Sequence, residues 1–217
     1  MSALMFERLW LALLDTIAMV GASAAIALVA GVPLAVFLVL STPDGLIHAP
    51  RTHQALAALI NGFRATPFIV LLVALLPLTR LITGSTIGVW AAVVPLSISA
   101  TPFFARIAEV SLREVDGGLI EAAQAMGCRR WHIVRHVLLP EALPGIVGGF
   151  TITIVSMIGA SAMAGAVGAG GLGDMAIRYG YQRFDTTVMA AVIVVLIALV
   201  CLVQFAGDSA VRRLRAR

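Results

Sequence analysis

Hydrophobic positions in this chain run together in five long stretches, residues 9–40, 56–78, 86–104, about 137–163 and 186–206, with short polar segments between them. About 20 apolar helical residues, each rising 1.5 Å, cross the hydrocarbon of a bilayer, so the pattern predicts an all-α polytopic membrane protein with five transmembrane helices. The first stretch contains Asp15 and Pro33 and exceeds the roughly 7–15 residues of a secretory signal, which makes it a retained, tilted or kinked span. The second is interrupted by Asn61, Gly62, Arg64 and Pro67. Its apolar part after Pro67 is too short to cross alone, so Arg64 has to snorkel or face protein, because an arginine at the bilayer centre costs roughly 2.5–3.5 kcal/mol on the insertion scale. The third stretch carries Pro95 and Pro102; the fourth opens with Pro140 and Pro144; the fifth is continuous and uncharged.

Composition agrees with this solvent. Of 217 residues 60% are hydrophobic and 12% charged, against about 25% charged in ordinary soluble domains. The basic residues are all arginine and give a net charge of +4. They lie between apolar runs and form no basic stripe, so the excess faces a membrane surface or an acidic partner and not nucleic acid.

Five crossings put the termini on opposite sides, and arginine placement decides which is inside. With the C-terminus cytoplasmic, that side receives Arg51, Arg106, Arg113, Arg129, Arg130, Arg135, Arg212, Arg213, Arg215 and Arg217. The other side receives Arg8, Arg80, Arg178 and Arg183. The positive-inside rule therefore predicts the N-terminus outside and the C-terminus in the cytoplasm.

The longest polar segment, residues 106–136, falls on the cytoplasmic side and contains a short helix expected at about 117–127. Asp116 is placed to cap its start, Glu121 lies toward the positive end of its dipole, and Gly127 suits a left-handed stop. A helix this short is unstable free in water. The small side chains of Ala122, Ala123 and Ala125 leave a low-relief surface on which a partner can dock; an amphipathic connector lying on headgroups is the alternative.

Glu121-Ala122-Ala123, then Gly127 after three residues, then Val137-Leu138-Leu139-Pro140 after nine more, resemble the signature of ABC importer permeases, with Val137 where that pattern usually has Ile. Further segments, 61–68 (NGFRATPF), 77–80 (PLTR), 135–145 (RHVLLPEALPG), 165–174 (GAVGAGGLGD) and 204–208 (QFAGD), resemble the methionine-importer branch over nearly the whole length. The resemblance implies a single permease domain, 1–217, with the type I importer transmembrane fold, in the bacterial inner membrane. It implies a homodimer, two cytoplasmic ABC ATPase subunits that hold ATP and Mg, an external methionine-binding receptor, and alternating access carrying D- and L-methionine. This chain would then be no enzyme and bind no cofactor or metal. Gly117, Glu121, Ala122, Ala123, Met126, Gly127 and Arg129 are the expected ATPase-coupling residues. A stand-alone secondary carrier and a membrane scaffold are the alternatives; the carrier needs an ionisable residue open to both sides, and the centres of spans three to five have none.

For the pathway or gate the candidates are Thr153, Ser156, Met157, Ser161 and Met163. Hydroxyls among small residues either pack helices or line a passage, and methionines adapt to an apolar substrate. The glycines of 165–173 lack a Walker ending and fit a tight external turn leading toward Tyr179, Tyr181 and Phe184. Cys128 and Cys201 are expected to be unpaired thiols.

Overall fold

The computed structural model describes residues 3–42 and 49–216; Arg217 of the basic tail lies outside the described residues. Four helices are long and apolar enough to cross a membrane. Helix α1 spans Ala3–Leu40. The second apolar stretch is not one helix: α2 (Pro50–Ala65) and α3 (Phe68–Ala74) meet at 104°, and α4 (Leu76–Thr83) follows. The cause is local. Pro67 has no N–H to continue α2 and pushes Thr66 out of the helical region, to ψ 125°. Counting the bent pair as one crossing gives up to five spans.

Helix α5 spans Val89–Arg113 and runs beyond the expected third stretch to collect three charges at its end. The short α6 (Gly117–Ala125) and α7 (Arg130–Ile133) follow. A π-helical turn, Val134–Leu138, joins α7 to α8 (Leu139–Ala166), so the fourth span starts at Arg130, well before the residue expected from hydropathy. The wide turn sits where it is needed, because the ring of Pro140 points at the carbonyl of His136, which belongs to it. A five-residue helix α9 (Gly171–Met175), a second π turn (Ala176–Tyr181) and α10 (Thr186–Arg215) complete the chain. Asp185 caps α10 by accepting from the N–H groups of Thr187 and Val188.

The long helices close on each other at small residues, as membrane bundles do where van der Waals contact has to replace the hydrophobic effect. Helix α1 packs along α5, α5 along α8, and α8 along α10. A Cβ on Gly31 would come within 2.6 Å of the Phe104 ring, and one on Gly149 within 2.4 Å of Ile107.

The glycine-rich stretch turns as the sequence leads one to expect, with positive φ at Gly168, Gly170 and Gly171, but the residues that follow are packed into the protein. Gly171, Leu172, Gly173 and Met175 are buried, and α9 folds back against α1 and α8. A Cβ on Gly173 would stand 2.4 Å from the Ala162 carbonyl oxygen, so this contact is backbone on backbone. The hydroxyl of Thr16 in α1 donates to the Ala12 carbonyl and accepts from the Leu172 N–H at 2.9 Å, and Gly88 N–H donates to the Gly168 carbonyl. These ties hold the starts of α5 and α10 and the end of α8 near the first half of α1. At the opposite end of the bundle lie α6, α7 and the basic end of α10.

Candidate functional site

Two sets of residues stand out, one at the end of the bundle that carries α6 and one within it. At the end, Asp116 Oδ1 accepts the Gly118 N–H at 2.8 Å and opens α6. The helix closes in a Schellman arrangement: Gly127 has φ 77°, its N–H donates to the Gln124 carbonyl, and the Cys128 N–H donates to that of Ala123. Both ends fall where the sequence places its cap and stop. Of the coupling candidates, Gly117, Glu121, Ala122, Met126, Gly127 and Arg129 are exposed, Met126 at 76%. Ala123 is turned inward, 3% exposed, where α6 meets α7 and the π turn. The low-relief outer face is therefore made by Ala122 and Ala125, and Ala123 seats the helix on its own chain.

Glu109, which sequence reading passed over, anchors the helix leading into α6. Its carboxylate is fully buried, accepts from Arg106 at 2.7 Å through one oxygen and is gripped by Arg113 at 2.7 and 2.9 Å through the other. The signal was legible as an acid flanked by arginines at i−3 and i+4 on the last turns of a span. Both arginines are roughly half exposed, so they neutralise the carboxylate while keeping contact with water.

Within the bundle, a cavity of about 190 Å³ opens beside the break between α2 and α3. Phe63, Arg64, Thr66 and Phe68 line it from the broken span, Ser99 and Phe103 from α5, and Thr153, Ser156, Met157 and Ala160 from α8. The structure thus brings together Thr153, Ser156 and Met157. Thr153 is buried and donates to the Gly149 carbonyl, so its hydroxyl is already satisfied, whereas Ser156 is exposed. Ile152, Ser156, Gly159 and Met163 form one exposed stripe along α8, spaced as successive turns of a helix. Met163 belongs to that stripe, outside the cavity. Ser161 is not brought to either: it is buried and donates to the Ile158 carbonyl at 2.7 Å. Arg64, Thr66 and Ser99 complete the polar lining and lie far from Thr153 in sequence, which is why no local motif joined them.

Asp15, partly buried in α1, lies beside the α9 turn, with its carboxylate facing Gly170. Cys128 and Cys201 are free and exposed. Among the described residues no group of three His, Cys, Asp or Glu is placed to hold a metal.

The same arrangement recurs in solved transporters. An inward-facing structure of the MetNI methionine ABC transporter contains a chain 47% identical to this one, covering 99% of both, with a TM-score of 0.97. A chain of an amino acid ABC transporter crystallised with histidines, 19% identical and covering 96% of this chain and 94% of its own, has the same fold at TM-score 0.79. The likeness along the whole chain makes this a polytopic membrane permease subunit of the ABC transporter class.

The chain belongs to the family of binding-protein-dependent transport system inner membrane components, which it matches over residues 31–216. It is a multi-pass protein of the bacterial inner membrane. Similar relatives include the probable D-methionine transport system permease protein MetI of Vibrio cholerae, 49% identical over 99% of this chain and 96% of that one. The D-methionine transport system permease protein MetI of Escherichia coli K12 is 48% identical over 70% of each chain, and the methionine import system permease protein MetP of Bacillus subtilis is 39% identical over 79% and 77%.

Proposed function

We propose that this chain is the membrane-spanning subunit of a methionine importer, working as a homodimer with two cytoplasmic ATPase subunits and an external methionine-binding receptor. The observation that carries the reading is α6, a helix capped at its start by the Asp116 side chain and closed at its end by its own backbone, yet exposed along the face of Ala122, Ala125 and Met126. Likeness along the whole chain to the methionine ABC transporter supports the substrate and the partners.

In this reading the 1–217 chain is one permease domain whose cytoplasmic segment, 106–136, carries the coupling helix. The bent α2 and α3 together make one crossing, which gives five spans with the N-terminus outside and the C-terminus in the cytoplasm. The clustering of arginine at the end with α6 supports that orientation. ATP binding closes the partner ATPases, α6 passes their movement into α5, whose last turns the Glu109 clamp stiffens, and the paired bundles exchange inward for outward access. Thr153, Ser156 and Met157 line the passage, and Met163 on the exposed stripe faces the second copy.

Co-purification from membranes tests the docking face. Ala122→Arg and Met126→Glu are expected to reduce recovery of the ATPase subunit at least about tenfold, the scale of a buried contact turned into an unpaired charge, while leaving membrane insertion intact. Full recovery with both variants would remove α6 from the docking site.

A further inference from the structure

We propose that Arg64 is a carboxylate anchor inside the permease, holding the α-carboxylate of an amino-acid substrate in the cavity at the α2–α3 break while it crosses; the inference rests on the importer reading above. Arg64 stands on the last turn of α2, about 21 Å along that helix from its start at the α6 end of the bundle, well into the hydrocarbon if α2 runs across it. A guanidinium at such a depth is costly unless it meets an anion or reaches water. Among the described residues the ion pairs are Arg106 and Arg113 with Glu109, and Arg178 with Asp174; no carboxylate lies within ion-pair distance of Arg64. No acidic residue lines the cavity, whose other polar groups are the hydroxyls of Thr66, Ser99, Thr153 and Ser156.

The remaining walls match the other end of such a substrate. Arg64 itself is exposed at the mouth of the cavity, and Phe63, Phe68, Phe103 and Met157 supply apolar walls against which an unbranched apolar or thioether side chain fits. The span is broken at this point, and in many secondary transporters such discontinuous helices admit a polar ligand at membrane depth, a physical effect that does not depend on the energy source. An arginine fork pairs with a carboxylate through two parallel hydrogen bonds, which makes the carboxylate the group this cavity selects.

The test is thiol protection in the complete complex of permease and ATPase in nanodiscs. Ser156→Cys is introduced together with Cys128→Ser and Cys201→Ser, and labelling by a negatively charged thiosulfonate is timed with methionine or with methioninol, which lacks the carboxylate. Methionine is expected to slow labelling and methioninol not to. Arg64→Gln should weaken methionine protection at least about tenfold, the loss of a charge-assisted pair, while Arg80→Gln, which removes a charge outside the cavity, retains it. Equal protection by the two compounds, no protection by either, or methionine-selective protection surviving Arg64→Gln would overturn the assignment. ATP-driven methionine uptake by the unsubstituted complex with receptor added separates the two ideas. Uptake without selective protection overturns the anchor and leaves the importer standing, whereas selective protection without uptake supports the anchor and overturns the importer.

Discussion

Single residues decide two features of this molecule. Gly127 holds φ 77° at the stop of α6, a conformation that costs a residue with a Cβ about 1–2 kcal/mol. Gly127→Val is therefore expected to fray α6, seen as faster amide exchange at Ala125 and Met126, and to lower ATPase recovery without changing membrane insertion. Glu109 is the other. Replacing it with Ala leaves Arg106 and Arg113 close together without their shared acceptor, and the expected loss is about 1–3 kcal/mol, read as a lower melting temperature in detergent. Glu109→Gln keeps an acceptor and should fall between the two. An unchanged melting temperature for Glu109→Ala would mean that the clamp contributes nothing to the fold. Both positions were open to sequence reading to different degrees. A glycine after an alanine-rich helix announces its left-handed stop, whereas the burial of Glu109 depends on helices packed around it and cannot be read from spacing alone.

At the scale of elements, the apolar stretches located the long helices because a span of hydrocarbon imposes its own length. Their ends were harder to place, since helices continue past the apolar run into polar surroundings: α5 runs to Arg113 and α10 to Arg215. The break at Thr66–Pro67 was legible as a disturbance around Arg64, but where α3 lies after it, packed against α5 and α8, no local pattern encodes. The glycine-rich 165–173 segment showed its turn but not its burial, for a physical reason. Glycines serve turns and close backbone contacts equally, and here both are present, with α9 tucked under Thr16 of α1. Gly173→Ala forces a methyl group against the Ala162 carbonyl and is expected to displace α9, giving markedly lower yield of folded protein by size-exclusion chromatography in detergent. Thr16→Val removes the acceptor of the Leu172 N–H and should cost about 1–3 kcal/mol by leaving that group unsatisfied, a loss readable in the melting temperature.

The whole molecule divides into an end tied together by α1, α9 and the glycine turn and an end where α6, α7 and most arginines gather. Between them the broken span and the exposed stripe of α8 leave a gap lined by both polar and apolar side chains. In the proposed function this gap is the route for solute, α6 is the handle, and the driving force comes from the partner that grips it. ATP-dependent methionine uptake into proteoliposomes tests this most directly. Accumulation is predicted when the chain, its ATPase, the receptor and ATP are all present, and its loss when the ATPase is omitted or Ala122→Arg is introduced. Accumulation by vesicles holding this chain alone under an ion gradient would contradict it.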